Sequence, residues 1–92
     1  MVSQVTSVTG TNLQVEAILK VLNSLGASIL RLSRLGYANP ILFVGYHDRN
    51  YLIIINLIGA TLSGKELDLL SFWHGKINVV DTPQQALDVL GY

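Results

Sequence analysis

Ninety-two residues with zero formal net charge and no cysteine bound the reading at once. Half the residues are apolar and only 13% are charged, against roughly 25% in ordinary soluble domains. This excludes disulfide scaffolds, thiolate catalysis and cysteine-ligated zinc. It also argues against a strongly basic nucleic-acid surface, because six Lys plus Arg leave little to neutralise phosphates.

The length predicts one α/β domain over 1–92. Before Thr11, Val2, Val5 and Val8 stand among Ser, Thr and Gln, so residues 1–10 form either an edge strand or a loose tail. No basic stretch followed by an apolar run begins the chain, so no secretory signal is expected. The longest apolar run, 51–58, is broken by Asn56 and is too short to span a bilayer. A soluble cytoplasmic protein is the expectation.

Three helix starts are read from S/T-x-x-E/Q boxes: Thr11 to Gln14, Ser63 to Glu66 and Thr82 to Gln85. In each the hydroxyl accepts from the third backbone amide while the longer side chain reaches back to the cap. Pro83 adds a first-turn proline. The first helix carries Val15, Ile18, Leu22 and Leu25 on one stripe and stops at Gly26, suited to a left-handed cap.

Strands are expected at 27–32, 41–46, 51–58 and 77–80. The second and third are nearly continuous β-branched and aromatic runs, as in strands covered on both faces. His47-Asp48-Arg49-Asn50 reads as the polar turn of an antiparallel hairpin. The second helix then supplies a parallel crossover to the fourth strand. The resulting order is α-β-β-β-α-β-α, a mixed four-stranded sheet flanked by helices.

That order, together with particular residues, resembles small PD-(D/E)xK nucleases of the Holliday-junction-resolvase and VRR-NUC type, found in phages and bacteria. The residues carrying the resemblance are Leu25-Gly26-Ala27-Ser28, Asn39-Pro40-Ile41 through Gly45, Tyr51 through Asn56 and Leu62 through Glu66. Trp73-His74-Gly75, Val79-Val80 and Thr82 through Leu87 complete it. Together they span about residues 14–91, and their order and spacing are more specific than any one of them. The resemblance implies a restriction-endonuclease-like core.

It also implies a Mg²⁺ site in the active relatives. Those enzymes place an Asp after the proline of the second strand, a Glu-x-Lys on the third strand and often a Glu on the first helix. Carboxylates suit a hard cation, and metal with lysine activates water and stabilises phosphorane charge. The matching positions here are Ile41, Ile54 with Asn56, and Ala17. None of the four can take its role, so no metal, no other cofactor and no cleavage are expected.

The other acids are not placed to substitute for the missing ligands. Glu16 is one position from the helix acid, about 100° around the helix. Asp48 belongs to the turn and Glu66 to a helix cap, neither expected at the strand ends. Asp68, Asp81 and Asp88 read as solvated or capping residues. His47 and His74 lie apart with no nucleophile spaced to either. Trp73 is expected to pack the second helix on the sheet. Lys20, Arg31 and Arg34 make at most a weak, salt-sensitive nucleic-acid contact. The loop from Gly36 to Pro40, which borders the substrate groove in the active relatives, is read here as a connection.

Losing every charge of a crowded acid cluster exchanges activity for stability. It suits a natural pseudoenzyme or an engineered, redesigned chain, and the low charge and aliphatic runs favour redesign. The expected role is a scaffold that self-associates, as a homodimer, because a short chain this apolar leaves apolar surface exposed. The rivals are a metal-dependent endonuclease with unorthodox ligands and a non-cleaving DNA-junction-binding module.

Overall fold

The computed structural model describes residues 9–32 and 38–92. Its elements run α1 (Thr9–Ser24), β1 (Ser28–Leu32), β2 (Ile41–Tyr46), β3 (Arg49–Ile55), α2 (Gly64–Phe72), β4 (Ile77–Val80) and α3 (Pro83–Val89). Of residues 1–10, expected as an edge strand or tail, Thr9 and Gly10 instead open α1, while residues 1–8 lie outside the described residues, as do Arg34, Gly36 and Tyr37. Among the described residues no helix is long and apolar enough to cross a membrane.

The four strands form one mixed sheet in the order β1-β2-β3-β4. β1–β2 and β2–β3 are antiparallel, and β3–β4 is parallel through α2. Strand alternation sends successive side chains to opposite faces. Leu42, Val44, Ile53, Ile55 and Val80 meet Val15, Ile18 and Leu22 of α1 and Ala86 and Leu90 from the α3 end. On the other face Ile41, Leu52 and Ile54 pack with Leu69 of α2. A fully buried aliphatic side chain contributes about 1.5–3 kcal/mol, so the larger α1–α3 cluster dominates.

Local chemistry differs from expectation at three places. α1 starts at Thr9, so Thr11 lies within the helix rather than capping it. Gln14 does not reach back to a cap but bonds backbone far along the chain. The hairpin turn is only His47-Asp48, because Arg49 and Asn50 already pair with Tyr46 and Gly45. Both turn residues have positive φ, 50° and 63°, the geometry of a type I′ turn that matches strand twist. β3 correspondingly ends at Ile55 rather than running to residue 58.

The Ser63 cap forms the full box with Glu66. Thr82 caps α3 by accepting from the Gln85 amide, but the Gln85 side chain accepts from the Asp81 amide, one residue before the cap. Gly26, at φ 82°, ends α1 in the left-handed region, where Leu22 carbonyl accepts from Ala27 and Asn23 carbonyl from Gly26.

Candidate functional site

Parallel β-strands with helical crossovers place ligands beyond their carboxyl ends. In this fold that end gathers the close of β3, the close of β4 and the antiparallel start of β2. Ile41 and Ile54 are direct cross-strand partners there, both buried on the α2 face with Leu52 and Leu69. Asn56 follows one residue beyond β3. Its amide donates to the Val80 carbonyl at 2.8 Å and its carbonyl accepts from Gln14 Nε2 at 2.9 Å. Its side-chain Oδ1 is buried and has no hydrogen-bond partner.

Ala17 does not join them. It is exposed on α1, and α1 packs the opposite face of the sheet from Ile41 and Ile54. Instead Ala17 lines a shallow outer depression with Leu13, Glu16, Lys20 and Asn23. Ala17, the position matched to the helix acid of the resembled nucleases, therefore does not face the strand positions, and Glu16, also exposed, fares no better. The stripe of α1 that reaches the sheet is Val15-Ile18-Leu22, and position 17 falls off it.

Glu66 is the acid whose place differs most from expectation. It caps α2, and it also lies fully buried against the start of β2. Its Oε1 accepts from the Ser63 amide at 2.7 Å and from Asn39 Nδ2 at 2.8 Å. Its Oε2 accepts from the Asn39 amide at 2.6 Å. Burial is the largest influence on this carboxyl and pushes its pKa up. Hydrogen bonds from the Ser63 amide, the Asn39 side chain and amide, and the Ser63 hydroxyl outweigh burial and hold it below the ordinary glutamate value.

Asn39 extends the same network. Its Oδ1 accepts from the Leu57 amide at 2.9 Å, and Nδ2 also approaches the Thr61 carbonyl at 3.4 Å. On the other face Gln14 does a parallel job: Nε2 donates to the Asn56 and Asp81 carbonyls, and Oε1 accepts from the Ile58 amide at 2.8 Å. Buried backbone groups in loops demand partners. Three side chains supply them here, and their hydrogen-bonding capacity is spent on the chain itself.

The remaining polar residues stay apart. Among the described residues no group of three or more His, Asp and Glu comes together. His47 stacks on Tyr46, ring centroids 3.9 Å apart at 15°, beside a surface cleft of about 400 Å³ that Asp48 and Arg49 also line. That cleft is at the hairpin, the opposite end of β2 from Ile41. His74, Asp68, Asp81 and Asp88 are exposed, and Asp88 accepts from Gln84 at 3.0 Å. Trp73 is 46% exposed and folds over Gly75, where a Cβ would lie 2.8 Å from the indole nitrogen. It belongs to neither core cluster, contrary to its expected packing on the sheet. Arg31 and Lys20 are exposed.

A Mg²⁺ ion does not fit the residues at the strand ends. Ile41 and Ile54 offer no lone pair, Asn56 offers one neutral oxygen, and both Glu66 oxygens are engaged by backbone and amide donors. Of this network the sequence carried a signal only for the Ser63–Glu66 box. Nothing in Asn39 or Gln14 marks them as long-range partners, because their bonds reach 18 to 67 residues away. Comparison of the chain with protein-family models, with curated proteins and with solved structures gives no match.

Proposed function

We propose that this chain is a catalytically silent domain of restriction-endonuclease-like architecture, serving as a structural module that associates with itself. The observation that carries the reading is the Ile41–Ile54 pair. At the two strand positions where the resembled nucleases hold metal-binding acids, this chain builds a buried aliphatic contact beside Leu69. A carboxylate pair in that place would suffer desolvation and mutual repulsion, whereas two isoleucines add apolar burial.

The nearest acid, Glu66, supports the same reading. Its hydrogen bonds hold the β3–α2 loop and the start of β2, which is a structural task. Surface composition adds the second half: Leu13, Leu30, Ile58, Leu67, Phe72 and Tyr92 are each more than half exposed, and apolar surface left open favours association. Contact with nucleic acid is weak or lacking in this proposal, and neither cofactor nor membrane takes part.

The test is incubation of the purified protein with supercoiled plasmid, single strands and four-way junctions in Mg²⁺ or Mn²⁺, beside a gel shift at low and moderate salt. Intact substrates and no salt-resistant shift are expected. Cleavage that co-purifies with the protein and is lost on Glu16→Ala or Asp48→Ala overturns the silent reading. A junction-specific shift surviving moderate salt replaces the scaffold with a binding module.

A further inference from the structure

We infer that β1 is the surface through which two copies of this chain join, edge to edge across a twofold axis, into a continuous eight-stranded sheet. The inference rests on the self-associating reading above and gives it a place and a register.

The hydrogen-bond pattern fixes which groups of β1 point outward. The Ile55 amide donates to the Pro40 carbonyl, so the pairs of β2 with β3 that exchange hydrogen bonds are those with even-numbered β2 residues. Antiparallel ladders alternate, so Ile41, Phe43 and Gly45 turn their backbone groups towards β1. Their partners Leu32, Leu30 and Ser28 therefore point inward. Ile29 and Arg31 present their amides and carbonyls at the outer edge, where no described strand pairs with them.

Among the described residues this edge lacks the usual protection. Open edges are commonly blunted by proline, lysine, a bulge or a covering helix. β1 reads Ser-Ile-Leu-Arg-Leu and is mostly exposed, with one cation and no bulge in its register with β2. The other edge, β4, is shorter and better covered. Beside the β1 edge lies apolar surface on the α2 face: Leu30 is 60% exposed, Phe43 41% and Leu32 39%. Leu30, Phe43, Leu52 and Ile77 form one cross-strand row through all four strands, and at Leu30 that row ends in solvent.

A second copy continues it. Twofold antiparallel pairing centred on Leu30 sets Leu30 opposite Leu30 and pairs all five β1 residues. Ile29 then exchanges hydrogen bonds with Arg31 of the second copy, which are the outward-pointing residues. Shifting the register by one pair sets Arg31 against Arg31, and like charges directly opposite are destabilising. Zero net charge leaves no general repulsion between copies.

The chain has no cysteine, so single-cysteine variants report the register directly. Leu30→Cys should oxidise to a covalent dimer, since facing residues lie within disulfide reach. Leu32→Cys should not, because its copy sits about 13 Å along the strand. At high micromolar concentration the parent should sediment at twice the chain mass. Arg31→Pro removes only an outward amide and should sediment as a monomer with an unchanged far-ultraviolet spectrum. Leu30→Lys, which faces two ammonium groups, does the same should the proline disturb folding. A dimeric parent with no Leu30→Cys cross-link and a dimeric Arg31→Pro overturns the β1 edge while leaving self-association standing. Preferential cross-linking of Leu32→Cys overturns the register. A monomeric parent overturns both this inference and the self-associating reading.

Discussion

Asn39 donates twice to Glu66, through its backbone amide at 2.6 Å and its side-chain amide at 2.8 Å, across 27 residues of chain. This pair ties the residue before Pro40 to the first turn of α2. Removing the carboxylate leaves the Asn39 amides and the Ser63 amide without their acceptor. Glu66→Ala is expected to lose about 2–4 kcal/mol, read as a lower urea midpoint at unchanged slope. A loss under about 0.5 kcal/mol contradicts a structural role.

The same carboxylate makes stability depend on pH. Its folded pKa lies below the ordinary glutamate value of 4.5, so between the two values the unfolded chain binds the proton and the folded chain does not. The contribution is complete above about 4.5 and disappears as pH falls through the folded value. Glu66→Gln should therefore narrow the stability gap to the parent progressively below pH 4.5. Parallel melting curves from pH 7 to pH 3 check it, and a gap that stays constant refutes the linkage.

Position 17 and position 54 should respond in opposite ways to a new acid. Ile54→Glu puts an unpaired carboxyl into a fully buried site and should cost about 2–4 kcal/mol. Ala17→Glu lies on the exposed face of α1 and should stay within about 0.5 kcal/mol of the parent. In the triple variant Ile41→Asp, Ile54→Glu, Asn56→Lys, any rise in melting temperature with Mg²⁺ or Mn²⁺ should be unchanged on adding Ala17→Glu. An enlarged metal response on adding it places α1 on the wrong face here.

The hairpin turn holds two residues at positive φ that glycine or asparagine would occupy more cheaply. Replacing His47-Asp48 with Asn-Gly should stabilise the protein by about 0.5–2 kcal/mol, partly offset by losing the Tyr46–His47 stack. Thermal denaturation decides, and destabilisation would show that the stack outweighs the strain.

The elements were legible wherever local chemistry decides them. The β-branched runs marked β2 and β4 at both ends, and the Ser63 and Thr82 caps marked α2 and α3. Thr11 misled because an adequate capping motif within a helix-forming stretch does not compel the helix to begin there. The polar run His47 to Asn50 reads as a turn twice as long as the one found, because Arg49 and Asn50 are polar although they already pair in β3. At the candidate site the hairpin put Ile41 and Ile54 on neighbouring strands, but a four-residue turn would set Ile41 opposite Asn56, and only the two-residue turn makes Ile54 its partner. Which face α1 covers did not follow from the sequence, since a connection of a few residues from Ser24 to Ser28 can lead to either side. Gln14 and Asn39 stayed hidden because an amide's partner is chosen by tertiary packing, not by its neighbours in sequence.

Sheet order here equals chain order, which bears on how the molecule is made. Each strand emerging from the ribosome finds its partner already present, so β2 can pair with β1, and β3 with β2, without any strand being inserted later. The α1 stripe has no such luck. Val15, Ile18 and Leu22 share their cluster with Ala86 and Leu90, which are synthesised after all four described strands, and Gln14 awaits the carbonyl of Asp81. Throughout elongation the nascent chain thus carries a half-covered helix on a nearly complete sheet. Residues 83–90 close the core, so premature termination just before Pro83 yields a chain with all four described strands and an open core, a natural substrate for chaperones and proteases.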